Sequence, residues 1–274
     1  MSDLARLAAK AREIRESILS IVFAAGSGHV GGSLSQTDLL VALYYKYLRV
    51  EAARPDWPER DRFVLSKGHG GLGLAAILAD LGFIPPVELP LFGTTGHRLG
   101  MHMDHGLVPG VEASTGSLGH GLGVAVGMAL GAKHLGLPVR TVCLISDGEC
   151  YEGSTWEAAL SAPAFGLGAL TAIVDRNHLT MDGRTEELVP LEPLRAKWEA
   201  FGWEALACDG HDLAAVCGAL DAALAPGRTR PAVVIADTVK GKGVDFMEGE
   251  ARWHYGALDS DDYARALASV RRSA

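Results

Sequence analysis

The sequence predicts an α/β fold: a doubly wound, mostly parallel sheet with helices on both faces. Three observations carry that prediction. RFVLS (62–66), TVCLIS (141–146), ALTAIVD (169–175) and AVVIADT (232–238) are short apolar runs rich in β-branched residues, as strands buried on both faces require. Helical stretches lie between them, and that alternation implies right-handed crossovers within one sheet. Finally, three of the runs stop abruptly at polar residues, so chemistry should collect along a single sheet edge.

The elements follow in order. Leu4, Leu7, Ala11, Ile14, Ile18, Ile21 and Val22 recur at three- and four-residue steps, an amphipathic helix for which Gly26 is a natural stop. A second helix is expected from about Gln36 to Leu48. Further helices are expected near 71–81, 119–135, 154–165, 212–224 and 260–271. The segment 84–117, rich in Gly, His and Met, is too long for an idle connection and reads as a functional loop. No internal repeat and no Gly-, Ser- or Pro-rich linker divides the chain, so residues 1–274 are expected to form one domain.

Composition excludes several classes. A formal charge of −8, without a dense Lys/Arg patch, argues against nucleic acid as a partner. No apolar run approaches the roughly 20 residues of a membrane span, and the amino terminus lacks a signal-peptide core. Cys143, Cys150, Cys208 and Cys217 show no CxxC spacing, so reduced thiols and a cytoplasmic location are expected.

The strand ends carry the functional signal. RFVLS runs into Lys67-Gly68-His69, TVCLIS into Asp147-Gly148-Glu149, and ALTAIVD into Arg176-Asn177-His178. In an open parallel sheet all three should meet at the ligand-binding edge. Magnesium prefers oxygen donors and shares phosphate oxygens, a demand that Asp147 and Asn177 together can meet. Gly148 would let a diphosphate approach the backbone, beside the positive end of the helix starting near Ser154. Singly, each residue reads as an ordinary turn or loop position; together they do not.

At these residues the sequence resembles the transketolases. The family's thiamine diphosphate signature is Gly-Asp-Gly at one strand end and an Asn about thirty residues on; here the separation is 177 − 147 = 30. The likeness continues through SGHVGGSLSQTDLL (27–40), DRFVLSKGHG (61–70), GVEASTGSLGHGLGVAVGMALGAK (110–133), SDGECYEGSTWEAA (146–159), NHLTMDG (177–183) and TVKGKGVDFMEGEARWHYGAL (238–258). Ser146 replaces the first Gly of the signature. Arg176 stands where a second Asn occurs in other thiamine enzymes.

The resemblance implies a thiamine-diphosphate-binding fold of the diphosphate-binding type, with thiamine diphosphate and Mg2+ (or Ca2+ or Mn2+) as cofactors. Asp147, Asn177 and the backbone carbonyl of Leu179 would hold the metal. Gly116, Ser117, Leu118, Gly148, Glu149, Asn177, His69, His254 and Lys240 would contact the cofactor. His29, His69, His102 and His254 match the family's active-site cluster, where imidazoles shuttle protons and bond sugar oxygens. His134 and His211 read as structural, while His97, His105, His120 and His178 stay unassigned. Lys240-Gly241-Lys242-Gly243 lacks P-loop spacing; either lysine suits an anion.

Two features keep alternatives. Ser154-Thr155-Trp156-Glu157 spells a capping box, whereas the family places Glu152 and Glu157 in an interface carboxylate network. Gly119, Gly123, Gly127 and Gly131 recur every four residues, for packing either on the sheet or on a partner subunit. The resemblance covers the amino-terminal half of a transketolase, and no segment here supplies the pyrimidine-binding domain. The expectation is therefore one subunit of an α2β2 enzyme whose partner is the C-terminal, pyrimidine-binding transketolase subunit. It would transfer a two-carbon ketol unit between sugar-phosphate-like substrates. A related carboligase or acyl-transfer subunit, and a non-catalytic cofactor-binding paralogue, are the competing readings.

Overall fold

The computed structural model describes residues 2–272. Five strands, β1 (Arg62–Leu65), β2 (Thr141–Ser146), β3 (Leu170–Arg176), β4 (Glu204–Asp209) and β5 (Ala232–Asp237), form one sheet in the order β1-β2-β3-β5-β4. Every pairing is parallel. β2 and β3 are buried at every position, which explains their unbroken apolar sequences. Strand β4 is not among the runs that the sequence marks as strands. It is an edge strand, half exposed along Glu-Ala-Leu-Ala-Cys-Asp, and lacks the β-branched residues that mark the others.

The helices among the described residues are α1 (Asp3–Ala25), α2 (Val30–Ser35), α3 (Thr37–Ala42), α4 (Gly71–Asp80), α5 (Gly121–His134), α6 (Gly153–Ala164), α7 (Thr185–Leu188), α8 (Leu194–Ala200), α9 (Leu213–Ala223) and α10 (Ser260–Arg272). Alternate strand residues serve opposite cores. Phe63, Val142, Leu144, Ile173 and Val234 pack under α1, α3, α4, α9 and α10. Val64, Cys143, Ile145, Val174 and Val233 pack under α5, α6 and α8. Helices therefore cover both faces, as expected. None of the described helices is long and apolar enough to cross a membrane.

Helix α1 behaves as its periodicity predicts. The Ser2 hydroxyl accepts the Ala5 N–H at 3.3 Å, and Gly26 closes the helix at φ 72°. Its Leu7, Ile14, Ile18, Leu19 and Val22 are buried, each contributing roughly 1.5–3 kcal/mol. The expected helix from 36 to 48 is different in detail. It starts earlier, as α2, and α3 passes into a π-helical turn at Leu43–Tyr47. Tertiary packing overrides the poor helix propensity of Gly31, where an added Cβ would lie 2.7 Å from the Trp253 carbonyl oxygen.

Two sequence patterns are corrected. Helix α5 begins at Gly121, so Gly119 precedes it, in a left-handed conformation at φ 85°. Helix α6 begins at Gly153 with Glu152 at its N-cap position and no side-chain capping bond, so the box over Ser154–Glu157 does not form. The helix starts too early to leave Ser154 outside its first turn.

Asp38 of α3 is a buried anchor between elements distant in sequence. Arg15 of α1 donates to both its oxygens, at 3.0 and 2.6 Å, and His211 lies 2.7 Å from one of them. Burial alone would raise its pKa, but the Arg15 cation and the His211 hydrogen bond outweigh burial and hold it at about 2. A carboxyl depressed in this way contributes stability that is full above its unfolded pKa and is lost as pH falls through the folded value. Asp38→Asn should cost roughly 3–5 kcal/mol in urea denaturation at neutral pH, since it strands the Arg15 charge. The gap from wild type should narrow as pH drops from about 4 to about 2.

Candidate functional site

Because all five strands run the same way, their carboxyl ends share one edge, where open α/β sheets bind ligands. The segments leaving β1, β2, β3 and β5 open there onto a cavity of about 350 Å3. β1 delivers Lys67 and His69, β2 delivers Asp147 and Gly148, β3 delivers Asn177 and Leu179, and β5 delivers Lys240. The loop over 84–117 contributes His102 and Gly116, and Leu118 directly follows it; His29 precedes α2 and His254 precedes α10. A larger hollow of about 500 Å3 lies elsewhere, but its Arg49, Arg140 and Arg228 are already paired with Asp61 and Glu204.

The four expected histidines converge. The ring centroid of His29 lies 5.2 Å from that of His69, 5.4 Å from His254 and 6.2 Å from His102. His69 and His254 stack at 5.5 Å. None of His97, His105, His120 or His178 lines the cavity. A side chain at position 116 would collide with the His102 ring, at 2.5 Å, and its φ of 147° also favours glycine.

Oxygen acceptors line the same cavity. Asp147 is buried; one of its oxygens accepts the Gly148 N–H at 2.7 Å. The other accepts the His178 N–H at 2.7 Å and Arg176 Nη1 at 3.1 Å. The left-handed backbone of His178, φ 65°, turns that N–H inward. Asn177 places its amide nitrogen toward Asp175 and Ser35, at 3.4 and 3.5 Å, which leaves its oxygen on the Leu179 side. The carbonyls of Leu179 and Thr180 accept the Lys240 ammonium at 2.8 and 3.0 Å, and His254 Nδ1 lies 3.0 Å from the same ammonium.

Two expected contacts lie off the cavity. Glu149 is fully buried and turns away, accepting the Gly119 N–H at 2.8 Å and the Ser66 hydroxyl. Its carboxylate braces the loop before α5. Ser117 is exposed and does not line the cavity. Conversely, the sequence marks Lys67 only as a strand-end residue and does not single out Asp175. Both are buried and ion-paired to each other, with Lys67 also donating to the Gly32 carbonyl at 2.9 Å. An acid followed by an arginine at the end of an otherwise apolar strand is the available signal, since buried charges need partners.

The residues fit thiamine diphosphate with a divalent metal. Asp147, Asn177 and the Leu179 carbonyl are hard oxygen donors on neighbouring segments. With one carboxylate among them, and no group of three His, Cys, Asp or Glu able to hold a metal among the described residues, a metal would need phosphate oxygens to complete its shell. Lys67 and Lys240 supply positive charge for that anion. The buried Nδ1 of His29, which lines the cavity, has no partner among the described residues. A bound polar group is the natural complement of such an atom.

Electrostatics sort the site's protons. Burial, and then the surrounding His102, Lys240 and Lys67, lower His29 to about 4. Burial and neighbouring cations likewise lower His69 to about 2 and His254 to about 3. Burial, followed by Lys67, lowers Lys240 to about 8. Near neutral pH these three imidazoles are uncharged, each able to donate from one nitrogen and accept at the other.

Comparison with known proteins identifies the family. Residues 7–270 match the family described as transketolase, thiamine diphosphate binding domain. The 6-deoxy-6-sulfo-D-fructose transketolase subunit of Clostridium sp. (strain MSTE9) is 41% identical over 263 residues, spanning 96% of this chain and 95% of that one. An apulose-4-phosphate transketolase subunit of Actinobacillus succinogenes is 41% identical over 265 residues, with 96% and 95% covered. Transketolase from Leishmania mexicana superposes with a TM-score of 0.93 at 29% identity, covering 99% of this chain and 42% of that chain. The chain thus spans less than half of that solved transketolase.

Nitrogen-15 NMR of the imidazoles should find His29, His69 and His254 neutral at pH 6. Their folded pKa values lie below the unfolded value, so the unfolded chain binds more protons and stability should fall as pH drops below about 6.5. Protonation of the three near pH 6.5 would contradict the desolvated cavity.

Proposed function

The chain belongs to the transketolase family, and we propose that it is the thiamine diphosphate-binding subunit of a two-chain transketolase. It transfers a two-carbon ketol unit from a ketose phosphate, or a ketose with a similar remote anionic group, to an aldose phosphate. One observation carries this reading: an oxygen-donor set, two lysines and four histidines line a single cavity. The split assembly is supported by two relatives named as transketolase subunits, each covered over 95% of its own length. Their named ketoses, 6-deoxy-6-sulfo-D-fructose and apulose-4-phosphate, support the anionic-donor class.

The residues divide the work. Asp147, Asn177 and the Leu179 carbonyl would hold Mg2+, a set that also suits Ca2+ or Mn2+. Lys240, His69, His254 and the Gly148 backbone would face the diphosphate, and Gly116 and Leu118 would flank the ring system. Thiamine diphosphate, when bound, supplies the carbanion-stabilising ring. His29, His69, His102 and His254 would bond the sugar's hydroxyl and carbonyl oxygens and move protons between them.

A pyrimidine-binding partner subunit in an α2β2 assembly is part of the same proposal. On α5 an added Cβ at Gly123, Gly127 or Gly131 would meet nothing within 4 Å, so these glycines do not pack on the sheet. Val124 and Leu130 are exposed beside them, an apolar face that favours subunit contact. Glu152 and Glu157 lie exposed on and before α6, which favours the interface reading over the helix cap. Four free cysteines accord with a cytoplasmic location.

Co-purification with the pyrimidine-binding chain, thiamine diphosphate and Mg2+, then assay on a panel of anionic ketoses, tests the activity. Ketol transfer is expected, and a well-folded complex inactive on every donor would refute the assignment. Asp147→Ala should weaken Mg2+-dependent cofactor binding by roughly 100-fold or more in calorimetry, with circular dichroism unchanged. Undiminished binding would show that Asp147 does not hold the metal.

A further inference from the structure

The ammonium of Lys240 reaches the cavity from a loop, and something must fix that loop. Lys240 lies between β5 and α10 in a segment of turns, with Gly241 at φ 82°. Three hydrogen bonds from outside the loop fasten its backbone on both sides of the lysine. The Val239 N–H donates to His211 Nε2 at 2.8 Å, the Gly241 N–H to the Gly31 carbonyl at 3.0 Å, and Arg15 Nε to the Lys242 carbonyl at 3.2 Å.

Two of the three lead to one buried cluster. His211 leaves β4 in the turn before α9, and its Nδ1 lies 2.7 Å from Asp38. Asp38 is also the carboxylate that Arg15 grips with its two terminal guanidinium nitrogens. The geometry fixes the histidine's tautomer. A backbone N–H can only donate, so Nε2 must be bare to accept from Val239; the proton then sits on Nδ1 and is donated to Asp38. Asp38 selects the tautomer, and the tautomer provides the acceptor that the lysine loop requires.

We propose that His211 is a positioning residue for Lys240. Its neutral imidazole, oriented by Asp38 and Arg15, anchors Val239 so that the next residue's ammonium is held at the diphosphate end of the cavity. This rests on the reading of Lys240 as a diphosphate contact. His211 touches neither cavity nor ligand, and acts through the backbone.

Paired substitutions separate positioning from packing. His211→Gln puts an amide oxygen near the place of Nε2 and keeps the acceptor for Val239. His211→Asn keeps a donor near the place of Nδ1 for Asp38 but falls short of Val239. Each variant of the full chain, with Lys240→Met alongside, is titrated calorimetrically with thiamine diphosphate in excess Mg2+, and its melting temperature is recorded. Lys240→Met should lose about 100-fold and His211→Asn about 10-fold in affinity, while His211→Gln stays within about 3-fold of wild type. Wild-type affinity in His211→Asn, or equal losses in Asn and Gln, would overturn the positioning role while leaving the Lys240 reading intact. Wild-type affinity in Lys240→Met would overturn that reading and the inference with it. Should the Asn variant fail to fold, nitrogen-15 NMR of the wild type decides. A bare Nε2 supports the proposal, and a protonated Nε2 overturns it.

Discussion

Everything at the carboxyl edge of the sheet depends on the buried carboxylate of Asp175. It sits at the end of the middle strand, fully buried, and takes hydrogen bonds from Lys67 after β1, Ser35 of α2 and Thr238 after β5. The amide of Asn177 leans on it as well. One acid thus ties together the tails of three strands and a helix beneath the cavity. Burial alone would push its pKa up, and the Lys67 ammonium more than reverses that, holding the carboxyl below its usual range. Neither charge could be buried without the other.

That constraint shapes the site above it. Lys67 is ion-paired to Asp175, whereas the Lys240 ammonium meets the neutral Leu179 and Thr180 carbonyls and His254. Lys240 is therefore the cation whose charge an anion would balance, and its lowered pKa reflects burial and the nearby Lys67. On the facing side, Arg176 occupies part of the Asp147 carboxylate. A lone divalent ion would meet one partly neutralised carboxylate beside two lysines. A metal already carrying diphosphate oxygens would meet the same surroundings with its charge offset. The arrangement would therefore favour metal and diphosphate together over metal alone.

Much of this is legible in the sequence, for definite physical reasons. Strands β2 and β3 announce themselves because a strand buried on both faces has no place for polar residues without partners. Edge strand β4 escapes the sequence reading because exposure relaxes that demand, and its Ala-Cys-Asp sequence looks like loop. The donors Asp147 and Asn177 and the four cavity histidines can be picked out because they fall in motifs whose spacing matches a known family. Glu149, in the same motif, turns away to brace Gly119, since position along the chain does not fix side-chain direction. Asp175, Arg15, Asp38 and His211 are invisible as a group because their partners are distant in sequence. Only the fold brings residues 15, 38 and 211 together.

The central claim is that Asp147, Asn177 and the Leu179 carbonyl form the protein's share of one metal–diphosphate site. Its most direct test is a crystal structure of the chain grown with Mn2+ and thiamine diphosphate, read by anomalous scattering at the manganese edge. The account predicts a single strong peak in contact with those three oxygens and with the cofactor's phosphates. A peak elsewhere, or cofactor density in the cavity with no metal between it and Asp147, would contradict it.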